Sequence, residues 1–381
     1  MKIYIIAGEA SGDLHASNLI KALKAESPEI EFRGWGGDLM QEAGMDMVKH
    51  YKNTAVMGLI NVLLKLRSIK RNMEFCKQDI VQWQPDLLIF VDYPGFNLRI
   101  AAFTKSLGLT NYFYIAPKVW ASREKRIKNI KRYVDKIFAI LPFEERYFKT
   151  HNIIVEYVGN PVVDALAMRE CKNEQKNDFI KRTNLSSKPI IALLAGSRLH
   201  EVTQILPYFM RMIDDYPDYQ FVIAGVSVIK KHVYADIIGS KDVKLIFDDT
   251  YALLQHAHLA LVASGTATLE TALLNVPQVV CYRLWGKYLT QFVMNQIVKV
   301  PYVSLVNLIL GREAVPELIQ IKLTDKALKA HLHKLVYDED TRRRMFNDYN
   351  ELNKILGNER ASVRAAKQLL KSFKHHDEVK A

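Results

Sequence analysis

The chain has 381 residues, 49% hydrophobic and 25% charged, with three scattered cysteines. This composition excludes a disordered or fibrous chain, a disulfide scaffold and a zinc knuckle, and the length favours two domains in a reducing compartment. A net charge of +12 points to an anionic partner, whether nucleic acid, phosphorylated metabolites or an acidic lipid surface. No apolar run approaches the ~18 residues of a membrane-spanning helix, so any membrane role is expected to be peripheral. Met1 leads into Lys2-Ile3-Tyr4-Ile5-Ile6, a strand-like run without a signal-peptide pattern, and the mature chain is expected to begin there.

Apolar runs at 3–7, 87–91, 112–115, 137–141, 190–194, 220–224, 243–247, 259–263 and 278–281 alternate with helical stretches. That rhythm predicts an α/β protein with parallel sheets and helices on both faces. The polar stretch Arg169–Asn177 interrupts it. The expected organisation is a first domain at 1–168, a linker at 169–188, a second domain at 189–345 and a charged helical tail at 346–381. The tail is expected to pack on a domain or on a partner chain, which leaves a homodimer open.

The first strand runs into Ala7-Gly8-Glu9-Ala10-Ser11-Gly12-Asp13. Small residues at a strand-to-helix turn let amides approach an anion, with the helix dipole behind them. The same turn also reads as a tight turn capped by Ser11 or Asp13. It has neither the G-x-G-x-x-G spacing nor the P-loop lysine. The segment 57–71 places Leu59, Val62, Leu63, Leu66 and Ile69 at helical spacing, with Lys70 and Arg71 beside them. Such a stripe suits a membrane surface or an acyl chain, or else an ordinary core face. The strand 87–91 ends in Asp92-Tyr93-Pro94-Gly95-Phe96-Asn97, which puts a carboxylate where doubly wound sheets place their active sites. It equally suits an Asp that merely starts a turn. Between Lys118 and Lys149, ten basic and four acidic residues give +6, half of the chain's excess.

Two further turns of the phosphate type follow strands in the second half. Ala195-Gly196-Ser197-Arg198 precedes a helix containing Glu201, and Arg198 adds a forked donor suited to phosphate. Ala263-Ser264-Gly265-Thr266-Ala267-Thr268 is followed by Glu270, placed to accept hydrogen bonds from ribose hydroxyls. His256-x-His258 reads as packing, and Asp338-Glu339-Asp340 as a helix cap before Thr341, so a metal-independent site is expected with no cofactor.

Taken in order, these segments resemble the lipid A disaccharide synthase family of bacterial glycosyltransferases. The resemblance is carried by Ala7–Asp13, Met57-Gly58, Asp92–Asn97, Ala116–Ala121, Leu141–Glu144, Val158–Pro161, Gly196–Arg198, Ser264–Glu270, Tyr282-Arg283 and Val303–Leu308, between Met1 and about Ile321. It implies a GT-B fold of two Rossmann-like domains. It also implies transfer of a sugar from UDP-2,3-diacylglucosamine to 2,3-diacylglucosamine 1-phosphate (lipid X), with inversion to a β-1,6 linkage. Carried over by position, Asp92 is the general base. Gly196, Ser197, Arg198, Ser264, Gly265, Thr266 and Glu270 hold UDP, with Glu201, Arg283 and Asn307 nearby. Glu9, Ser11 and Asn97 fall on the acceptor side. The implied location is cytoplasmic, on the inner face of the inner membrane. Gly95 stands where some members have an acid, Asn160 where His is frequent, Ala195 where Pro is frequent and Ser122 where a second Trp is common. Rival readings are a nucleotide-sugar epimerase or peptidoglycan-type transferase on the same fold, and a nucleic-acid-binding protein using 118–149. The last lacks the aromatic and basic interleaving that base stacking needs, so no nucleic acid partner is expected.

Overall fold

The computed structural model describes residues 1–53, 62–121, 124–284, 301–357 and 359–380. The chain divides into two compact units, Met1–Asp164 with Glu359–Ala381, and Ala165–Asn358.

The first unit is built on seven parallel strands, β1 (Lys2–Ala7), β2 (Glu31–Gly36), β3 (Asp46–His50), β4 (Leu87–Val91), β5 (Thr110–Tyr114), β6 (Lys136–Ala139) and β7 (Val155–Tyr157). Their order is β3-β2-β1-β4-β5-β6-β7, so the winding direction reverses between β1 and β4. In open α/β sheets ligands bind outside the carboxyl ends of the strands at such a reversal. Alternation along β1 supplies both faces. Ile3, Ile5 and Ala7 pack with Leu19 and Ile20 of helix Ala10–Glu26, while Tyr4 and Ile6 join Phe90 and Phe113 on the other side. Helix Val62–Trp83 lies on that second face, held by the Tyr4 hydroxyl donating to Asp79 at 2.7 Å and by Arg33 donating to Asp79 at 2.6 Å.

The second unit carries six parallel strands, β8 (Ile190–Leu194), β9 (Gln220–Gly225), β10 (Lys244–Phe247), β11 (Leu259–Ala263), β12 (Gln278–Tyr282) and β13 (Glu317–Ile319), in the order β10-β9-β8-β11-β12-β13. Its reversal lies between β8 and β11. The expected linker at 169–188 is not a free connection. It forms helix Lys176–Thr183, whose Phe179 is buried with Ile190 and Val262 in the core of this unit.

The expected tail at 346–381 is two pieces. Helix Glu339–Leu356 belongs to the second unit, where the buried Tyr349 hydroxyl donates to the Val276 carbonyl at 3.2 Å. Helix Ala361–Lys380 belongs to the first unit, placing Ala365, Ala366 and Leu369 in the same core layer as Leu19. Its N-terminus is satisfied by a carboxylate distant in sequence: the Ala361 and Ser362 amides donate to the buried Asp164 at 2.6 and 2.8 Å. Such a cap neutralises amides that a helix leaves without intrahelical acceptors.

Candidate active site

At the reversal of the first sheet, the turns after β1 and β4 are locked together. Gly8 follows β1, and a Cβ there would lie 2.4 Å from the Tyr93 ring, so only glycine lets the β4 turn close over the β1 turn. Asp92 and Tyr93 both take left-handed backbone, with φ of 44° and 48°. Left-handed conformation is unusual for a residue such as Tyr and marks a site whose surroundings enforce it. Asn97 is part of that enforcement. Fully buried, it donates from its side-chain amide to the Asp92 carbonyl at 2.7 Å and so shapes the turn from below, while its Oδ1 meets no donor among the described residues. Asp92 is half-buried. Burial raises its carboxyl above the usual carboxylate range, while Lys118, the Tyr93 amide and Arg126 oppose the rise. A carboxylate whose basicity is raised by burial suits the role of a general base.

Glu9 and Ser11 are exposed at the same edge. The charge of Glu9 bears on Tyr93, whose hydroxyl is pushed up chiefly by burial. Neither Ser11 nor Asp13 caps helix Ala10–Glu26, whose N-cap is Glu9 without a side-chain bond. Asp13 instead caps a different helix, Asp38–Glu42, accepting from the Gly37, Leu39 and Met40 amides at 2.8, 3.2 and 3.1 Å.

A third turn joins this edge after β5. From Asn111 to Trp120 every residue is buried except Lys118. Trp120 donates its indole N–H to Glu144 at 3.0 Å, and the Ile140 and Leu141 amides donate to the other oxygen of Glu144 at 3.1 and 3.0 Å. Burial pushes that carboxyl up to about 7 against those donors and Lys118. The residue types of Lys118, Trp120 and Glu144 alone gave them no role; a hydrogen bond joins Trp120 to Glu144, and the charge of Lys118 bears on that carboxyl.

In the second unit the two phosphate-type turns differ. Gly196 has φ 110°, and a Cβ would lie 2.4 Å from Glu201 Oε2. That oxygen accepts from the Ser197 and Arg198 amides at 3.0 and 3.1 Å, and Oε1 accepts from Arg198 Nη1 at 3.2 Å. Glu201 therefore takes the amides expected to face phosphate. It caps its own helix and also pairs with the exposed Arg198 side chain. The turn after β11 is open. Helix Thr266–Leu273 starts from Gly265 without a side-chain cap, and the amides of Gly265, Thr266 and Ala267 meet no acceptor among the described residues. Gly265 and Thr266 are exposed, and no atom of the described residues lies within 4 Å of a Cβ at Gly265. Ser264 Oγ donates to the Val303 carbonyl at 3.4 Å. Glu270 accepts from the Tyr251 hydroxyl at 2.9 Å, and burial raises its carboxyl.

Arg283 donates to the Tyr208 hydroxyl and the Leu323 carbonyl, and its guanidinium lies 5.0 Å from the Tyr208 ring centre. Asn307 is fully buried and saturated. Its amide donates to the Val315 carbonyl and Glu317 at 2.8 and 2.9 Å, and its Oδ1 accepts from the Ala314 and Val315 amides at 2.8 and 2.9 Å. Glu317 in turn accepts from the Val303 and Ser304 amides at 2.9 Å each. Asn307 therefore acts on the Ser264 turn through the loop that carries Val303, with no polar atom left for a ligand.

Of the expected membrane face, Leu59 lies outside the described residues, as do the side chains of Val62, Leu63 and Leu66. Ile69 is half-buried, and Lys70 and Arg71 are exposed. No helix among the described residues is long and apolar enough to cross a membrane. His256 packs on Phe179 with ring centres 4.9 Å apart, His258 lies 5.9 Å from Tyr219, and Asp338 caps its helix by accepting from the Thr341 amide at 3.1 Å.

Among solved structures, the fold is similar to UDP-GlcNAc 2-epimerase from Neisseria meningitidis bound to UDP-GlcNAc (TM-score 0.72, 14% identity, covering 97% of this chain and 100% of that one). It is also similar to S. aureus MnaA with UDP (TM-score 0.71, 16% identity, 99% and 97%). At such identities the likeness speaks to the GT-B-like fold alone. In sequence, the chain is 35% identical to the lipid-A-disaccharide synthase of Syntrophus aciditrophicus (strain SB), with 98% of each chain covered. It is 34% identical to that of Myxococcus xanthus (strain DK1622), with 97% of each covered. The family model for Lipid-A-disaccharide synthetase matches residues 3–373, which spans both sheets and every turn described above. The chain belongs to the lipid-A-disaccharide synthetase family and is a glycosyltransferase that forms the lipid A disaccharide.

Proposed function

We propose that the first unit binds the lipid acceptor and the second the UDP-sugar donor, with Asp92 as the general base of an inverting displacement. The donor is UDP-2,3-diacylglucosamine and the acceptor lipid X. The acceptor 6-hydroxyl oxygen bonds to the anomeric carbon as its proton passes to Asp92, and the bond from that carbon to the diphosphate oxygen breaks with its electron pair leaving on UDP. The observation that carries this reading is the half-buried Asp92 at the sheet reversal, its basicity raised by burial and its direction set by a left-handed turn. Because the base must be ionised, kcat/KM should fall as pH drops through a pKa lying above the ordinary Asp value. A pH–rate profile with a flat acid side down to the ordinary Asp range would remove Asp92 from that role.

The leaving diphosphate is held by the open amides of Gly265, Thr266 and Ala267, by the dipole of their helix and by Arg198, while Glu270 takes the ribose. Arg198→Ala should weaken UDP binding by about 1.5–3 kcal/mol, the range for a hydrogen bond to a charged group. Calorimetry with UDP reads this, and unchanged affinity sinks the assignment.

Both substrates are diacylated, which supports a peripheral position on the cytoplasmic face of the inner membrane through the segment 57–71, with Lys70 and Arg71 toward acidic headgroups. Changing Leu63 and Leu66 together to Ser should lower binding to anionic liposomes with little change in melting temperature. A large drop in melting temperature with unaltered lipid binding assigns that stripe to the core instead.

A further inference from the structure

We propose that Lys118 is the phosphate-recognising group of the acceptor side, its ammonium taking the phosphomonoester of the acceptor beside the Asp92 turn. This rests on the first unit being the acceptor unit.

Placement supports it first. β4 and β5 are neighbours in the sheet, so the turns carrying Asp92 and Lys118 emerge side by side at one edge. The loop is also rigid in a way that singles out one side chain. Ile115, at its start, is β-branched yet left-handed at φ 67°, a conformation that persists only where the surroundings over-determine it. Those surroundings are the Ile115 amide donating to the Phe138 carbonyl at 3.3 Å and the buried Trp120 donating to Glu144 at 3.0 Å. Between these anchors Pro117, Val119 and Trp120 are buried and Lys118 alone is exposed. The Lys118 carbonyl accepts from the Ala121 amide at 3.2 Å, but its ammonium makes no ion pair or hydrogen bond among the described residues, so its charge is not consumed by the fold. It is nevertheless close enough to Asp92, His15 and Glu144 to bear on the titration of all three.

Charge gives the reason for a cation there. A phosphomonoester carries nearly two negative charges at neutral pH, and bringing it beside an ionised Asp92 in a half-buried edge is unfavourable unless a cation stands close by. Lysine is a compact, flexible point charge well suited to phosphate. The opposite flank of the turn has room as well. Gly95 bears no side chain, and Arg126 Nη2 lies 3.9 Å from where its Cβ would be, which adds positive potential to the same edge.

The test compares two acceptors, diacylglucosamine 1-phosphate and its dephosphorylated form, with the wild-type protein, Lys118→Gln and Lys118→Arg. Lys118→Gln should raise KM for the phosphorylated acceptor about ten- to a hundred-fold, the loss expected for a hydrogen bond to a charged group. It should leave KM for the dephosphorylated acceptor and UDP affinity within about two-fold, and Lys118→Arg should recover most of the loss. A parallel change for both acceptors, or no change for either, overturns the role of Lys118 and leaves the acceptor reading standing. Failure of the wild-type protein to use either acceptor while still binding UDP overturns the acceptor reading and the proposal with it. Because Lys118 is exposed, melting temperature should be unchanged in both variants; a loss matching the KM change would assign the residue to the fold.

Discussion

Asp92→Asn should lower turnover by about 10²- to 10⁴-fold, the usual loss of a general base, and leave UDP affinity and melting temperature close to wild type. The substitution is selective for physical reasons. Asn tolerates the left-handed backbone that Asp92 adopts at φ 44°. Its side-chain oxygen also stays beside the Tyr93 amide, which helps hold the Asp92 carboxyl down. Only basicity is removed. Gly95 occupies the other position in the turn where a carboxylate would be at hand, so no neighbour in that turn substitutes. If Asp92 merely started the turn, the variant would lose some stability and turn over near normally. A single-turnover rate within a few-fold of wild type in folded protein would end the general-base assignment.

Asn307→Ala should do the opposite, destabilising the second unit by about 2–4 kcal/mol while acting on UDP only indirectly. The substitution removes a side chain that makes four hydrogen bonds at full burial. It leaves the Ala314 and Val315 amides, the Val315 carbonyl and part of the Glu317 carboxylate unsatisfied, and orphaned buried groups cost roughly 1–3 kcal/mol each before relaxation. Denaturant titration reads the stability, and calorimetry on the folded fraction reads UDP. Lost UDP binding at an unchanged denaturation midpoint would make Asn307 a ligand contact.

Much of this was legible from residue order. Long apolar strands such as β4, Leu-Leu-Ile-Phe-Val, and β8, Ile-Ile-Ala-Leu-Leu, announce buried parallel strands, and the turns that follow them fall at the two sheet reversals. β2 was not legible. It reads Glu-Phe-Arg-Gly-Trp-Gly, where Gly34 fits against the Ile5 carbonyl and Arg33 is spent on Asp79 and Asp46, so neither propensity nor alternation marks it. β3 is only half-buried, and β13 is three residues long, too short for a period.

The site was legible as positions and less so as roles. Glu201 and Asn307 fall near the nucleotide only by carry-over from the family resemblance. The hydrogen bonds show both satisfied by backbone amides or neighbouring side chains of their own unit. A carboxylate three residues into a helix is as well placed for its own first turn as for a ligand, and residue types alone do not separate the two. Tyr251, which donates to Glu270 from another helix, left no local trace, since its partner is nineteen residues away.

The most direct test of the account is product analysis with purified protein supplied with UDP-2,3-diacylglucosamine and lipid X. Equal amounts of UDP and a disaccharide 1-phosphate are expected, with mass spectrometry giving its composition and the anomeric proton coupling showing a β-linkage. An α-linked product, or UDP released without disaccharide, would contradict it.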